Sequence, residues 1–175
     1  MTNKLGSANP NRIPQRKQAY KDREQLRLSE ICNYYKVPNL FDTSGQPNEQ
    51  ELRLLAKVGY QVIINLSIKS ILNGKNINEK DLLDSLKVEY IHLPVDYNNP
   101  TDEDFKKFIL YLHKYKNKKL WIHCEAKHRV SAFIYRYRRD VLNLPHEMII
   151  RDMETIWTPN EVWKKFLQLS NESQD

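Results

Sequence analysis

Cys124 and Arg129 stand five positions apart in LWIHCEAKHRVSAF, residues 120–133. The stretch reads as a strand that enters a helix through a short polar turn. A cysteine at that point meets the unpaired N–H groups and the positive dipole end of the helix. Both favour a thiolate over a thiol. The same N–H groups can bind a phosphate dianion, and the planar guanidinium of Arg129 can grip two phosphate oxygens. A nucleophile and an anion cradle that share one turn suit phosphoryl transfer to sulfur, followed by hydrolysis of the phosphocysteine.

Two plainer readings compete. An isolated cysteine at a strand end is most often a buried, inert thiol, but that does not explain a turn carrying Lys127, His128 and Arg129. A metal held by His123, Cys124 and His128 would need a further cysteine or carboxylate at a recognisable ligand spacing, and none is present, so neither metal nor cofactor is expected. Transfer to sulfur also needs an acid for the leaving oxygen, a role that contributes roughly 10²–10⁴-fold. Asp96, in VDYNNPTDEDF directly after the strand VEYIHLPV, is the leading candidate because acid and nucleophile must meet at the same sheet edge. Its plainer role is a turn residue ahead of NNP. Asp102 falls in a first helical turn, where interaction with the helix dipole accounts for it. Asp104 is used in capping.

Elements that alternate along the chain must bring these residues together. A basic helix is expected from about 19 to 35, then a short strand and turn in VPNLFDTSGQP. Asn48 and Glu51 form a capping box for a helix that faces inward with Leu52, Leu55 and Val58 and stops at Gly59. YQVIINLSI is a buried strand, INEKDLLDSLK a helix and VEYIHLPV a strand. PTDEDFKKFILYLHKYK is a helix capped by Thr101 with Asp104. KKLWIHC is a strand, and 130–141 a helix. A further helix opens near Pro145, and a last one at TPNE with Thr158 as cap, Pro159 in first position and Glu161 closing the box. This order predicts an α/β fold with a mostly parallel central sheet flanked by helices on both faces, plus the basic N-terminal helix. Ligands of such sheets bind beyond the carboxyl ends of the strands, where Cys124 and Asp96 both fall.

These residues resemble the protein tyrosine phosphatase superfamily on its dual-specificity side, whose motif is HC-x5-R-[ST] after a strand with an acidic loop upstream. The resemblance spans roughly residues 36 to 168. TSGQP at 43–47, IHLPVDY at 91–97 and HCEAKHRVSAF at 123–133 are similar to a bacterial subgroup described as dual-specificity phosphatase-like. It implies Cys124 as nucleophile, Arg129 as phosphate clamp and Asp96 as general acid. His123 would support the thiolate, and Ser131 would help the sulfur leave. Glu125, Ala126, Lys127, His128 and Val130 would complete the phosphate-binding loop. Gly45 in TSGQP reads as a turn glycine ahead of a helix.

The loop departs from the family by one residue, reading HC-x4-R-V-S. Either one residue is deleted and Val130 takes the hydroxyl position, or the loop keeps its length and Val130 takes the arginine position. Ser131 lies seven positions after Cys124, the usual hydroxyl spacing, which favours the second. The loop also lacks glycine, so EAKHRV must turn with ordinary residues. Glu125 is expected to face solvent or a basic neighbour.

Composition sets the outer bounds. The 175 residues suit one domain, here 19–170, with a flexible arm at 1–18 and a tail at 171–175. No apolar run is long enough to span a membrane, and the N-terminus has no apolar core of a secretory signal. Cys32 and Cys124 form no framework, which favours a reducing, cytoplasmic setting; Cys32 reads as structural. The net charge of +6 points to an anionic partner. Nucleic acid is not favoured: Arg136, Arg138 and Arg139 read as a solvated helix face without an aromatic-basic ladder. A phosphorylated substrate, with its phosphate held at the loop, is expected. The function predicted is a cysteine-dependent phosphatase acting on phosphoprotein or a small phosphate ester; the alternative is a phosphate- or phosphopeptide-binding module with little turnover.

Overall fold

The computed structural model describes residues 12–169. Its centre is a five-stranded sheet of β1 (Tyr35–Val37), β2 (Phe41–Ser44), β3 (Val62–Asn65), β6 (Glu89–His92) and β7 (Leu120–His123), while β4 (Ile71–Leu72) and β5 (Lys75–Asn76) pair as a separate hairpin. The spatial order is β1-β2-β7-β3-β6. β2, β7, β3 and β6 run parallel, and β1 is antiparallel to β2. The mostly parallel α/β architecture expected from the alternating pattern is the one observed.

Side-chain alternation along the central strands assigns the two faces. Val62, Ile64, Leu120 and Ile122 pack into one apolar cluster, against α4 (Asp102–Lys114), α5 (His128–Asp140), α6 (His146–Glu154) and α7 (Glu161–Leu167). Ile63 and Trp121, one residue out of phase, pack into another against α1 (Arg12–Ser29), α2 (Glu49–Lys57) and α3 (Glu79–Ser85). Asn48 with Glu51 and Thr101 with Asp104 make the two reciprocal capping boxes the sequence announces.

Two local expectations change, and one hairpin is an addition. Helix α1 starts at Arg12 rather than about 19 and ends at Ser29 rather than 35. Pro14 falls in its first turn, where a missing N–H costs nothing; the N-terminal arm expected for 1–18 therefore lies outside the described residues up to 11, and the rest is helical. The 171–175 tail also lies outside them. Asn73 and Gly74, both with positive φ (50° and 75°), turn the β4–β5 hairpin; the Asn-Gly pair itself is its local signal. The last helix is capped by Asn160, whose side chain accepts the Trp163 N–H, so Thr158, Pro159 and Glu161 do not form the expected box. Asn160 sits two residues beyond Thr158, nearer the apolar face that starts the helix, and caps it through one N–H.

Candidate active site

β7 lies between β2 and β3, and its last residue, His123, registers with Ser44 on one side and Asn65 on the other. Cys124 follows at the carboxyl edge of the sheet, and α5 begins four residues later. The turn between them is held from behind. The Gln46 N–H donates to the Glu125 carbonyl at 2.9 Å, and Asn33 Nδ2 donates to the Ala126 carbonyl at 3.2 Å. A trans peptide sets its N–H opposite its C=O, so pinning these carbonyls outward directs the next N–H groups inward. The thiol of Cys124 faces the N–H of Lys127, set by the pinned Ala126 carbonyl, and those of Arg129 and Val130 in the first turn of α5.

No glycine is needed inside this turn because Lys127 itself adopts the left-handed conformation, φ 70°. The glycine requirement has moved to the strut behind it. A Cβ on Gly45 would come within 3.1 Å of the Glu125 carbonyl and 3.5 Å of Cys32 Sγ, while the Gly45 N–H donates to the Cys32 carbonyl at 2.7 Å. Gly45 thus stands at a bend where the close backbone leaves little room for a side chain. Cys32, solvent-exposed, contributes its carbonyl to the same strut.

Arg129 reaches the site from the first turn of α5. Its Nε donates to the Val95 carbonyl at 2.9 Å, and its guanidinium carbon lies 5.4 Å from the centre of the Tyr97 ring. Among the described residues, the Nη atoms have no hydrogen-bond partner. They border a cleft of ≈ 390 Å³ lined by Tyr97, Glu125, Ala126, His128 and Arg129. Complete burial pushes the Cys124 thiol up from its ordinary value; the three N–H groups and the Arg129 charge act against that rise.

The other loop residues divide between mouth and interior. Glu125 and Ala126 are exposed. Val130 is buried in the core cluster below the sheet edge. Lys127 gives its N–H to the cradle but sends its side chain inward, where Nζ sits 4.8 Å from the Tyr35 ring centre. Burial there lowers its pKa to about 8, against the opposing pull of Asp152. Asp152 also accepts from Tyr35 Oη at 2.6 Å and from Arg138 Nη1. His128 stacks on Trp157, ring centres 4.6 Å apart and 8° from parallel; burial and the neighbouring Arg129 charge hold its pKa down while Glu125 raises it. The Ser131 hydroxyl donates to the His128 carbonyl at 2.9 Å and accepts from Trp157 Nε1 at 3.0 Å.

His123 points to the opposite face of the sheet from Cys124. Its Nε2 lies 2.8 Å from Oε2 of Glu79, and both side chains are fully buried. Burial tends to raise the Glu79 pKa, but the His123 charge with hydrogen bonds from His123, Ser70 and Gln46 hold it below the usual carboxylate value. Glu79 carries no motif signal, and Gln46 lies in TSGQP without any sign there of its contact with Glu79. Only the parallel topology brings the start of α3 against the end of β7. Trp157, ahead of TPNE, was equally silent, although an isolated tryptophan between two helices is a candidate wall residue.

Asp96 is exposed, one residue beyond the carbonyl that holds Arg129. Its Oδ1 accepts the Asn98 N–H at 2.9 Å. The loop after β6 therefore presents Val95 to Arg129, Asp96 to solvent and Tyr97 to the cleft.

The helix face of Arg136, Arg138 and Arg139, expected to be solvated, is largely enclosed. Arg136 is 7% exposed and Arg138 9%. Arg136 lies between the Phe105 and Phe166 rings, at 4.4 and 4.7 Å from their centres, and pairs with Asp102 at 2.7 Å and with Asp140 at 3.3 Å. Arg138 pairs with Asp152, and Arg139 donates to the Leu167 carbonyl. Guanidinium stacks on aromatic faces and accepts burial once paired. Asp102 is thus an ion-pair partner as well as a first-turn acid.

The sequence matches, over residues 18–165, the PTP-NADK family, described as a DSP-PTPase phosphatase fused to NAD+ kinase. The chain belongs to this family. A DUF442 protein from Shewanella putrefaciens is 30% identical, with a TM-score of 0.69 over 81% of this chain and 92% of that one. TpbA of Pseudomonas aeruginosa (16% identity, TM-score 0.63, 80% and 86% covered) shares the fold. So does the core catalytic domain of a PP-IP phosphatase from S. cerevisiae (16%, 0.65, 82% and 88%). No curated protein sequence matches. As a PTP-NADK-family member, the chain is a hydrolase of the protein tyrosine phosphatase type with a dual-specificity-like fold. Among the described residues no helix is long and apolar enough to cross a membrane.

Proposed function

We propose that this phosphatase hydrolyses phosphate monoesters through a phosphocysteine at Cys124, using its HC-x4-R-V-S loop as a working variant. The observation that carries the reading is the posture of Arg129. One edge of the guanidinium is tethered to Val95, and the other has no partner among the described residues, near a buried sulfur and three N–H groups. That is a fixed fork for two phosphate oxygens. The shifted arginine therefore needs no longer loop; the tether aims it.

In the first step Cys124 Sγ attacks phosphorus, the P–O bond to the leaving group breaks, and Asp96 donates its proton to that oxygen. In the second, water attacks the phosphocysteine, Asp96 takes the water proton, and the S–P bond breaks to release phosphate. Asp96 Oδ1 is engaged by Asn98, so Oδ2 is assigned the proton. Ser131 anchors the first turn of α5 through the His128 carbonyl, and it would stabilise the leaving sulfur by rotating its hydroxyl away from that carbonyl. His123 supports the thiolate from the far face of β7. Glu125, Ala126, Lys127, His128 and Val130 supply the loop. The phosphate-bearing substrate is a phosphotyrosyl protein or a small phosphate ester, met in a cytoplasmic setting; residues 19–170 act as one domain.

An aryl phosphate, a phosphotyrosyl peptide and a nucleotide monophosphate, assayed in parallel, test this. Turnover that is abolished in Cys124→Ser is the expected result. Turnover that survives Cys124→Ser sinks the mechanism. Saturable phosphate binding, weakened by Arg129→Ala and without hydrolysis of any of the three, would identify a binding module instead.

A further inference from the structure

We propose that Glu79 is a positioning residue: it holds His123 as an imidazolium behind Cys124 and thereby favours the thiolate. The proposal deepens the phosphatase reading and rests on Cys124 being its nucleophile.

The argument starts from the buried carboxylate. Glu79 Oε2 faces His123 Nε2 at 2.8 Å, and Oε1 accepts from Gln46 Nε2 at 2.7 Å and Asn65 Nδ2 at 3.4 Å. A carboxylate that receives this many donors is held ionised. An ionised group with its side chain 0% exposed requires a positive partner. Gln46, Asn65, Ser70 and Tyr90 surround it, and none of them can be a cation. His123 alone among the described residues in contact with Glu79 can supply the charge.

A second observation lies on the imidazole. Among the described residues, Nδ1 of His123, fully buried, has no hydrogen-bond partner. No hydrogen bond at Nδ1 sets its protonation, so the charge balance of the pair decides it. Glu79 fixes Nε2 as the donor, so Nδ1 carries either a bare lone pair or a second proton. The second proton makes the pair neutral overall. The first leaves a net negative charge sealed under the sheet.

The position of the pair gives it a direction. His123 is joined to Cys124 by one peptide bond, whereas Glu79 reaches the loop only across the imidazole. The imidazolium, carried by the residue that adjoins Cys124, is the charge we set against the thiolate. It adds to Arg129 from α5 and to the N–H groups of Lys127, Arg129 and Val130, which face the same sulfur. Lys127, at the start of α5, is the further cation near it, and Glu125 beside it is exposed.

The test uses the full chain with Cys32→Ser, which leaves one thiol. Imidazole nitrogen NMR, with the His123 signals assigned by their loss in His123→Asn, is expected to show both nitrogens protonated at pH 7.5. A single neutral tautomer there overturns the proposal, and needs no Glu79 variant that could fail to fold. Iodoacetamide alkylation of Cys124 across pH is the second reading. Glu79→Gln, which keeps shape and one hydrogen bond, should move the alkylation midpoint up by roughly half a unit to one unit. His123→Asn should do the same, and the double variant should add nothing further. A midpoint unmoved in folded Glu79→Gln also overturns it. Alkylation requires no turnover, so a shifted midpoint in a protein that hydrolyses no ester would separate failure of the phosphatase reading from failure of this one.

Discussion

Nε of Arg129 donates to the carbonyl oxygen of Val95 at 2.9 Å, tying the first turn of α5 to the loop that follows β6. The arginine that would clamp phosphate is thereby fixed to the segment that carries the candidate acid, Asp96. Lysine cannot make both contacts, since it has neither an Nε donor nor a fork. Arg129→Lys should lower kcat/KM for an aryl phosphate by about 10²–10³-fold, and steady-state kinetics would measure it. A loss under tenfold would contradict the clamp.

Asp96→Asn should separate substrates by leaving group. An ester of a poorly acidic alcohol needs the proton in the transition state, and a nitrophenolate does not. We expect kcat to fall by about 10²-fold or more on the former and far less on the latter. Equal losses on both would exclude Asp96 as the acid.

Gly45→Ala tests the strut behind the loop. The new Cβ would press on the Glu125 carbonyl at 3.1 Å, a backbone atom that cannot swing away. We expect a destabilisation of about 1–3 kcal/mol together with weaker phosphate binding, followed by urea denaturation and by titration with inorganic phosphate. Wild-type affinity in the variant would show that the cradle does not lean on Gly45.

Lys127 sets a pH dependence of stability. Its folded pKa is lowered to about 8 by burial, from an ordinary 10.5. Between those values the unfolded chain holds a proton that the folded chain has lost, so stability should rise as pH rises from 8. Above about pH 10 the buried tyrosines reverse the trend, because Tyr34 is raised to about 12, first by its burial and then by Asp42. Lys127→Met should flatten the rise between pH 8 and 10 and add about 1–2 kcal/mol at pH 7. Denaturant midpoints at the two pH values measure both effects.

Trp157→Phe keeps an aromatic face for His128 but removes the donor to Ser131 Oγ. A loss of about 1 kcal/mol in stability is expected, with Trp157→Ala costing more because the stack goes too. Thermal melts of the two variants would rank them.

The sheet and its site edge were legible because their signals are local. Capping boxes at Asn48 and Thr101, the apolar runs VIIN and LWIH, and the Cys124 turn all read directly. What could not be read depends on packing. The direction of the Lys127 side chain, the burial of Arg136 between two phenylalanines and the meeting of Glu79 with His123 are set by which elements the fold brings together. No spacing along the chain encodes them. Gly45 stands at a bend ahead of α2, as its place in TSGQP suggests, while its close approach to the Glu125 carbonyl is a packing fact that no spacing encodes.

The cradle around Cys124 is held through the carbonyls of Glu125 and Ala126, while both side chains stand in solvent. Its shape is consequently independent of what those two residues are. Substitutions at 125 and 126 can alter the charge and bulk presented to an arriving molecule without disturbing the atoms beneath. The mouth can diversify toward new ligands while the floor stays constant.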